Sequence, residues 1–90
     1  MISRLEDRFL KLYRQLPYEI RQQAREAYKQ WRLNPNHPSL RFKLISGQTD
    51  IYSVRINRSY RAVAQRVASD EYVWFFIGTH DDYERVIGQR

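Results

Sequence analysis

The stretch that decides the fold runs from residue 51 to residue 83 and contains I-Y-S-V-R-I-N-R-S-Y-R-A-V (51–63) and Y-V-W-F-F-I-G-T-H-D-D-Y (72–83). Apolar and polar residues largely alternate along 51–56 and 60–67, and 72–77 is almost wholly apolar. Short runs rich in Val, Ile, Tyr and Phe predict β-strands. The connections N-R-S (57–59) and A-S-D-E (68–71) are short, so we expect these strands to form an antiparallel meander.

A fourth strand is predicted upstream, over residues 40–45, because apolar side chains alternate with two cations: Leu40, Phe42 and Leu44 against Arg41 and Lys43, with Ile45 closing the run. The segment S-G-Q-T-D (46–50) predicts the turn that follows. Before the strand, L-N-P-N-H-P-S (33–39) contains two prolines and two asparagines, which predicts a loop.

The N-terminal third has helical periodicity. Residues 3–15 predict an amphipathic helix, with Ser3 as its N-cap and Glu6 completing a capping box. Pro17 suits the first turn of a second helix, where the missing N–H costs nothing. The second helix repeats an apolar stripe: Ile20, Ala24, Ala27, Tyr28 and Trp31. We also expect a short closing helix over residues 81–89.

Two helices followed by four strands predict an α+β domain. In the expected architecture, an N-terminal helical hairpin packs on one face of a four-stranded antiparallel sheet. The chain has 90 residues, which fits one domain over residues 1–90.

Composition excludes several classes of protein. Without cysteine the chain has no disulfide and no thiolate metal site, and with only two histidines a structural zinc site is not expected. No apolar run approaches the roughly 20 residues of a membrane span, and the first residues lack a signal-peptide core. We therefore expect a soluble cytoplasmic protein with no metal and no cofactor.

The chain is basic, with a formal net charge of +6, and 13 of its 16 cations are arginine. The planar guanidinium matches phosphate and carboxylate geometry and stacks on bases. A nucleic acid or an acidic protein is therefore the expected partner. The alternative is a basic soluble domain whose arginines only reflect composition.

Five residues are the candidates for chemistry. Lys43, Arg55 and Arg61 are expected to gather on one side of the sheet, although strand parity does not decide which face is buried. His80 and Tyr83 follow the last strand and are expected near that side. Cations that hold phosphate, with a histidine to move a proton, suit RNA cleavage by the adjacent 2′-hydroxyl, for which a general base, an acid and cations are needed.

Four of the five candidates have a structural alternative. Arg61 could pair with Asp81 or Asp82. His80 could be a solvated turn residue or a neighbour of a helix N-cap. Tyr83 could close the core, and Lys43 could be an ordinary solvated strand residue.

Three segments in this order resemble the RelE/ParE superfamily of bacterial type II toxin–antitoxin toxins: Y-S-V-R-I (52–56), Y-R-A-V (60–63) and I-G-T-H-D-D-Y (77–83). The resemblance covers residues 5–87. It implies a metal-independent endoribonuclease that cuts mRNA on the ribosome. His80, Arg61, Arg55 and Tyr83 would be its catalytic residues, and Lys43, Arg41 and Arg58 would bind RNA.

The resemblance also implies partners: a cognate antitoxin protein that covers the site, together with mRNA and the ribosome, and no membrane. The superfamily includes inhibitors of DNA gyrase that do not cut RNA, and a shared fold does not choose between the two activities. Two departures stand out. No general base is evident, and the chain begins almost directly with a helix, so one sheet edge is expected to be missing or supplied by a partner.

Overall fold

The computed structural model describes residues 1–45 and 47–88. Its elements, in chain order, are β1 (Ile2–Leu5), α1 (Asp7–Arg14), α2 (Tyr18–Leu33), a 3₁₀ turn (Pro38–Leu40), β2 (Lys43–Leu44), β3 (Ile51–Arg55), β4 (Tyr60–Ala68), β5 (Glu71–Thr79) and α3 (His80–Gly88). The strands form one sheet in the order β1-β5-β4-β3-β2. The predicted α+β class is confirmed, but the sheet has five strands, and β1 runs parallel to β5.

Strand β1 corrects the expectation of a helix from Ser3 and of a missing sheet edge. Ile2 N–H donates to Asp70 O at 2.8 Å and Glu6 N–H donates to Trp74 O at 3.0 Å, so the chain's own N-terminus pairs with β5. The helix begins only at Asp7. Periodicity within residues 3–15 could not reveal a hydrogen-bonding partner about seventy residues away.

The helices α1 and α2 pack on one face of the sheet, as predicted. Their apolar side chains form a core with the sheet residues Val54, Ala62, Ala64, Trp74 and Ile77. Trp31 of α2 is fully buried, and its ring centroid lies 5.0 Å from that of Trp74. Pro17, predicted in the first turn of the second helix, is instead its N-cap and directly precedes α2.

The opposite face of the sheet is partly covered by α3. Tyr83, Val86 and Ile87 pack against a second cluster that includes Ile51 and Val63. The predicted closing helix is therefore present. It begins at His80, while Gln89, its expected end, lies outside the described residues.

Strand β2 is much shorter than the predicted strand 40–45. Leu40 lies in the 3₁₀ turn, where it is buried against the helix-side core, and Arg41 has a left-handed backbone with φ of 45°. Pro38 begins that turn because its fixed φ suits the first position. The predicted turn 46–50 is present at Gly47, whose φ is +80°, and Ile45 N–H donates to Ile51 O at 2.8 Å; Ser46 itself lies outside the described residues.

Across residues 1–45 and 47–88, no helix is both long and apolar enough to cross a membrane.

Candidate functional site

The strand register brings the predicted cations to one face of the sheet. Arg55 of β3 lies directly opposite Arg61 of β4, and Lys43 lies opposite Ser53. Side chains at paired positions share a face, and residues two apart on a strand share it too. Lys43, Arg55 and Arg61 therefore lie on the face that α3 covers in part. Their roles in function stay a prediction.

Arg61 is fixed at the connection between β3 and β4. Its Nη1 donates to Asn57 O at 2.6 Å and to Tyr60 O at 2.9 Å. Partial burial lowers the pKa of Arg61. The positive charges of Arg55 and Arg41 also lower this pKa, whereas Tyr83 raises it. Each of these side chains is therefore near enough to Arg61 to act on its charge, which makes this corner of the sheet strongly positive.

None of the ion pairs between described residues involves Arg61, so the alternative that it pairs with Asp81 or Asp82 is wrong. Asp82 pairs with Arg85, three residues along α3. A guanidinium that donates only to backbone carbonyls keeps its full charge for an anionic ligand.

The three residues expected to bind RNA occupy different positions. Arg41 lies just before β2, and its positive charge lowers the pKa of Arg61. Lys43 is exposed on the same face. Arg58 is exposed in the connection between β3 and β4, and within the described residues no hydrogen bond or ion pair joins its side chain to the others. We call Arg41, Lys43, Arg55 and Arg61 the cationic row.

His80 is the first residue of α3 and follows Thr79, whose Oγ1 accepts from Asp82 N–H at 3.2 Å, so the alternative of a helix N-cap neighbour holds and that of a turn residue does not. Its N–H donates to Ser59 O at 2.8 Å, which ties the start of α3 to the connection that holds Arg61. Its Nε2 lies 3.5 Å from Glu84 Oε1, and its side chain is 46% exposed. His80 is therefore held in place and open to a ligand at once.

Tyr83 has two contacts that bear on its role. Its ring centroid lies 5.6 Å from that of His80, and its phenol acts on the charge of Arg61. It also packs against the second core cluster, so the core-closing alternative holds for part of the side chain. The structure thus brings His80, Tyr83 and Arg61 to one end of the sheet.

Gly78 lies opposite Arg61 and allows an aromatic ring to come close to the site. A Cβ added at Gly78 would lie 2.8 Å from Phe76 Cζ, which is closer than real Cβ atoms approach. The Phe76 ring therefore packs over Gly78, immediately beside the cations.

Sequence reasoning missed two residues. Asn57 Oδ1 accepts from the N–H groups of Ser59 at 2.7 Å and Tyr60 at 3.0 Å, which builds the turn that fixes Arg61. Asparagine commonly bonds backbone two residues on, so N-R-S carried this signal. Glu84 was also missed, although its i,i+4 spacing from His80 is visible in the sequence once the helix is accepted.

Residues 1–45 and 47–88 contain no group of three or more His, Asp or Glu side chains that would hold a metal ion.

Comparison with known proteins identifies the family. Residues 18–85 match the model of the ParE-like toxin domain. No match was found among curated proteins.

Solved structures show the same fold. The RelB–RelE antitoxin–toxin complex from Methanococcus jannaschii matches with a TM-score of 0.73 at 17% identity, over 92% of this chain and 96% of that chain. The YoeB/ParE toxin from Agrobacterium tumefaciens matches with a TM-score of 0.70 at 12% identity, over 89% and 99%. The isolated E. coli RelE toxin matches with a TM-score of 0.66 at 20% identity, over 98% and 96%. Because the family model spans most of the sequence, the chain belongs to the ParE-like toxin domain family and is a toxin of the RelE/ParE type.

Proposed function

We propose that this toxin is an endoribonuclease that cuts mRNA on the ribosome and needs no metal ion for the reaction. The observation that carries the proposal is the pair Arg55 and Arg61, which lie directly opposite each other on the neighbouring strands β3 and β4. His80 and Tyr83 lie beside this pair. Among the described residues neither arginine has an acidic partner. Two like charges are costly to hold together, so their juxtaposition favours a polyanionic ligand.

In the proposed reaction, a ribose 2′-oxygen attacks the adjacent phosphorus. A bond from phosphorus to O2′ forms while the bond from phosphorus to O5′ breaks. A base takes the 2′-hydroxyl proton and an acid gives a proton to the departing O5′. The products are a 2′,3′-cyclic phosphate and a 5′-hydroxyl, so atoms and charge balance without an oxidant or a further reactant.

In this proposal the cations stabilise the negative charge of the transition state. Negative charge grows on the phosphoryl oxygens in the transition state, and preorganised donors aimed at that charge commonly contribute 10²–10³ in rate. Arg61 meets this requirement because two carbonyl oxygens already hold its guanidinium. Arg55 lies opposite and supplies the second positive charge, while Arg41 and Lys43 extend the row along the strand of RNA.

One proton transfer is assigned to His80, because imidazole both donates and accepts protons in the physiological range. Glu84 Oε1 near Nε2 orients the ring. Tyr83 presents an aromatic plane beside His80, on which a splayed base can stack.

The test is induction of the toxin in a bacterium, followed by mapping of mRNA 5′ ends. We expect new ends carrying 5′-hydroxyl groups, and at least a hundredfold loss of cleavage for Arg61→Ala and for His80→Ala. Arg8→Ala is the matched control, since it removes one exposed charge on α1 and should cleave normally.

Far-UV circular dichroism and thermal melting establish that each variant is folded before its activity is compared. Arg61→Lys keeps the charge but loses the two fixed hydrogen bonds, and we expect it to fall between wild type and Arg61→Ala. Growth arrest without new RNA ends would refute the proposal, as would full toxicity of both alanine variants.

A second candidate is inhibition of DNA gyrase without cleavage of RNA. The match to a ParE-like domain favours it, because the superfamily includes such inhibitors. A supercoiling assay with purified gyrase, together with induction of the DNA-damage response, separates the two activities. Loss of supercoiling with intact mRNA would select this candidate.

We further infer a cognate antitoxin as the protein partner. The similar chain from Methanococcus jannaschii was solved as an antitoxin–toxin complex. In this chain no residue of the cationic row forms an ion pair within the described residues, which suits an acidic segment of such a protein.

A further inference from the structure

A polar cleft lies beside Arg55, on the side of the sheet where α2 packs. It has a volume of about 570 Å³ and lies between α2, the 3₁₀ turn and the end of β3. We call it the amide cleft, because most of its polar lining comes from amide side chains and one carboxylate: Gln22, Gln23, Gln30, Asn57 and Glu26. Leu40 and Ile56 add apolar surface to the lining.

Hydrogen bonds within the cleft orient one amide and leave other groups available. Asn57 Nδ2 donates to Gln23 Oε1 at 2.5 Å, so the Gln23 amide is fixed with its own NH₂ unused. Gln22 is occupied, since its Nε2 donates to the Tyr18 hydroxyl. Among the described residues, the side chains of Glu26 and Gln30 make neither a hydrogen bond nor an ion pair. The cleft therefore presents donors and acceptors without partners beside an apolar surface.

Arg55 connects this cleft to the proposed catalytic site. It lines the cleft, and in the sheet it lies directly opposite Arg61. In a single strand each base is joined through its ribose to the phosphates on either side. Arg55 is the last residue of β3, so a strand whose phosphate is held by Arg55 and Arg61 on the α3 side can pass around the end of β3 and bring a neighbouring base to the cleft on the α2 side.

We propose that the amide cleft binds one base of the RNA strand being cut and reads its hydrogen-bonding edge. This inference rests on the proposed nuclease function. Glutamine pairs with the donor and acceptor edge of adenine, and a carboxylate accepts from an exocyclic amino group. Gln30 and Glu26 would thus favour bases that carry an amino group over uracil, while the partly buried Ile56 contacts the base plane.

The adjacent carboxylate also explains why a base, and not a second phosphate, is the expected occupant. Glu26 would repel a phosphate and attract an amino group. Single-stranded RNA is recognised mainly through splayed bases of this kind.

The experiment uses the full-length toxin on ribosomes programmed with messages that differ by one base at each position of the exposed codon. The measured quantity is the ratio of cleavage rates between messages with an amino-bearing base and with uracil. We expect wild type to prefer the amino-bearing base at one position. Gln30→Ala and Glu26→Ala should each reduce that ratio by about tenfold, because the message with the amino-bearing base is cut more slowly while the uracil message is cut within about threefold of wild type. Gln65→Ala, an exposed amide on β4, is the matched control and should keep the wild-type ratios.

The outcomes separate this inference from the proposed function. If wild type cuts no message, both fail. If wild type cuts but treats all bases alike, or if both cleft variants keep its ratios, the nuclease proposal stands and the base pocket is refuted. A uniform loss over all messages in a folded variant also refutes it, because it shows a role other than reading a base.

Discussion

Ser3 joins three elements through one oxygen atom. Its Oγ accepts a hydrogen bond from the Tyr28 hydroxyl of α2 at 2.7 Å and another from Trp74 Nε1 of β5 at 3.0 Å. Ser3 itself lies in β1. The sequence pattern around it equally suits a helix N-cap, because a serine three residues before a glutamate satisfies both descriptions until the distant donors are known.

Replacing Ser3 by alanine should therefore destabilise the protein. The change leaves the Tyr28 hydroxyl and the Trp74 indole N–H without their acceptor in a partly buried place. A buried polar group without a partner costs about 1–3 kcal/mol. Urea denaturation should show a loss of unfolding free energy in that range.

Ser69→Ala, in the exposed turn between β4 and β5, is the control for this experiment and should change stability by less than about 0.5 kcal/mol. Equal stability of the two variants would mean that the bonds to Ser3 contribute nothing.

At the scale of elements, strands β3, β4 and β5 were predictable because their own residues carry the strand pattern. Strand β1 was not predictable, because its four residues form a strand only by pairing with β5. Strand β2 was predicted too long, because the backbone enters a 3₁₀ turn at Pro38. The same limit applies to the site. Sequence parity could name Arg55 and Arg61, but only the register sets them directly opposite each other.

The two ends of helix α3 have different roles: one carries residues proposed for the chemistry, and the other packs against the sheet. Its first turn carries His80 and Tyr83, and in its last turns the partly buried side chains of Val86 and Ile87 pack against the sheet. Replacing Val86 and Ile87 together by alanine removes apolar contact without altering a group proposed for the chemistry. We expect a loss of about 2–4 kcal/mol in unfolding free energy and faster amide exchange confined to α3. Cleavage should fall in parallel, because the start of the helix is less well held.

Arg85→Ala is the control on the same helix, because it removes an exposed side chain and its surface ion pair with Asp82, which is worth little. If the double variant exchanged its amides no faster than this control, the packing of α3 on the sheet would not be what positions His80.

Over the whole molecule, the positive charge is distributed unevenly between paired and unpaired groups. The ion pairs of the described residues involve the N-terminus, Arg4, Arg66, His80 and Arg85. None of them involves the cationic row. At the face proposed to bind RNA and the antitoxin, the positive charge of the cationic row is therefore not offset by any ion pair among the described residues.

This distribution predicts how salt affects association with an antitoxin. Steering by opposite charges raises association rates and weakens as ionic strength screens the charges. The probe is the product of a gene adjacent to the toxin gene, after co-purification has shown that it binds. Its association rate should fall at least tenfold between roughly 50 mM and 500 mM NaCl.

The double variant Arg55→Ala/Arg61→Ala should lose most of this dependence on salt. The matched variant Arg8→Ala/Arg14→Ala removes the same charge from α1 and should keep it. Equal salt dependence of the two double variants would show that net charge, and not the cationic row, guides the encounter.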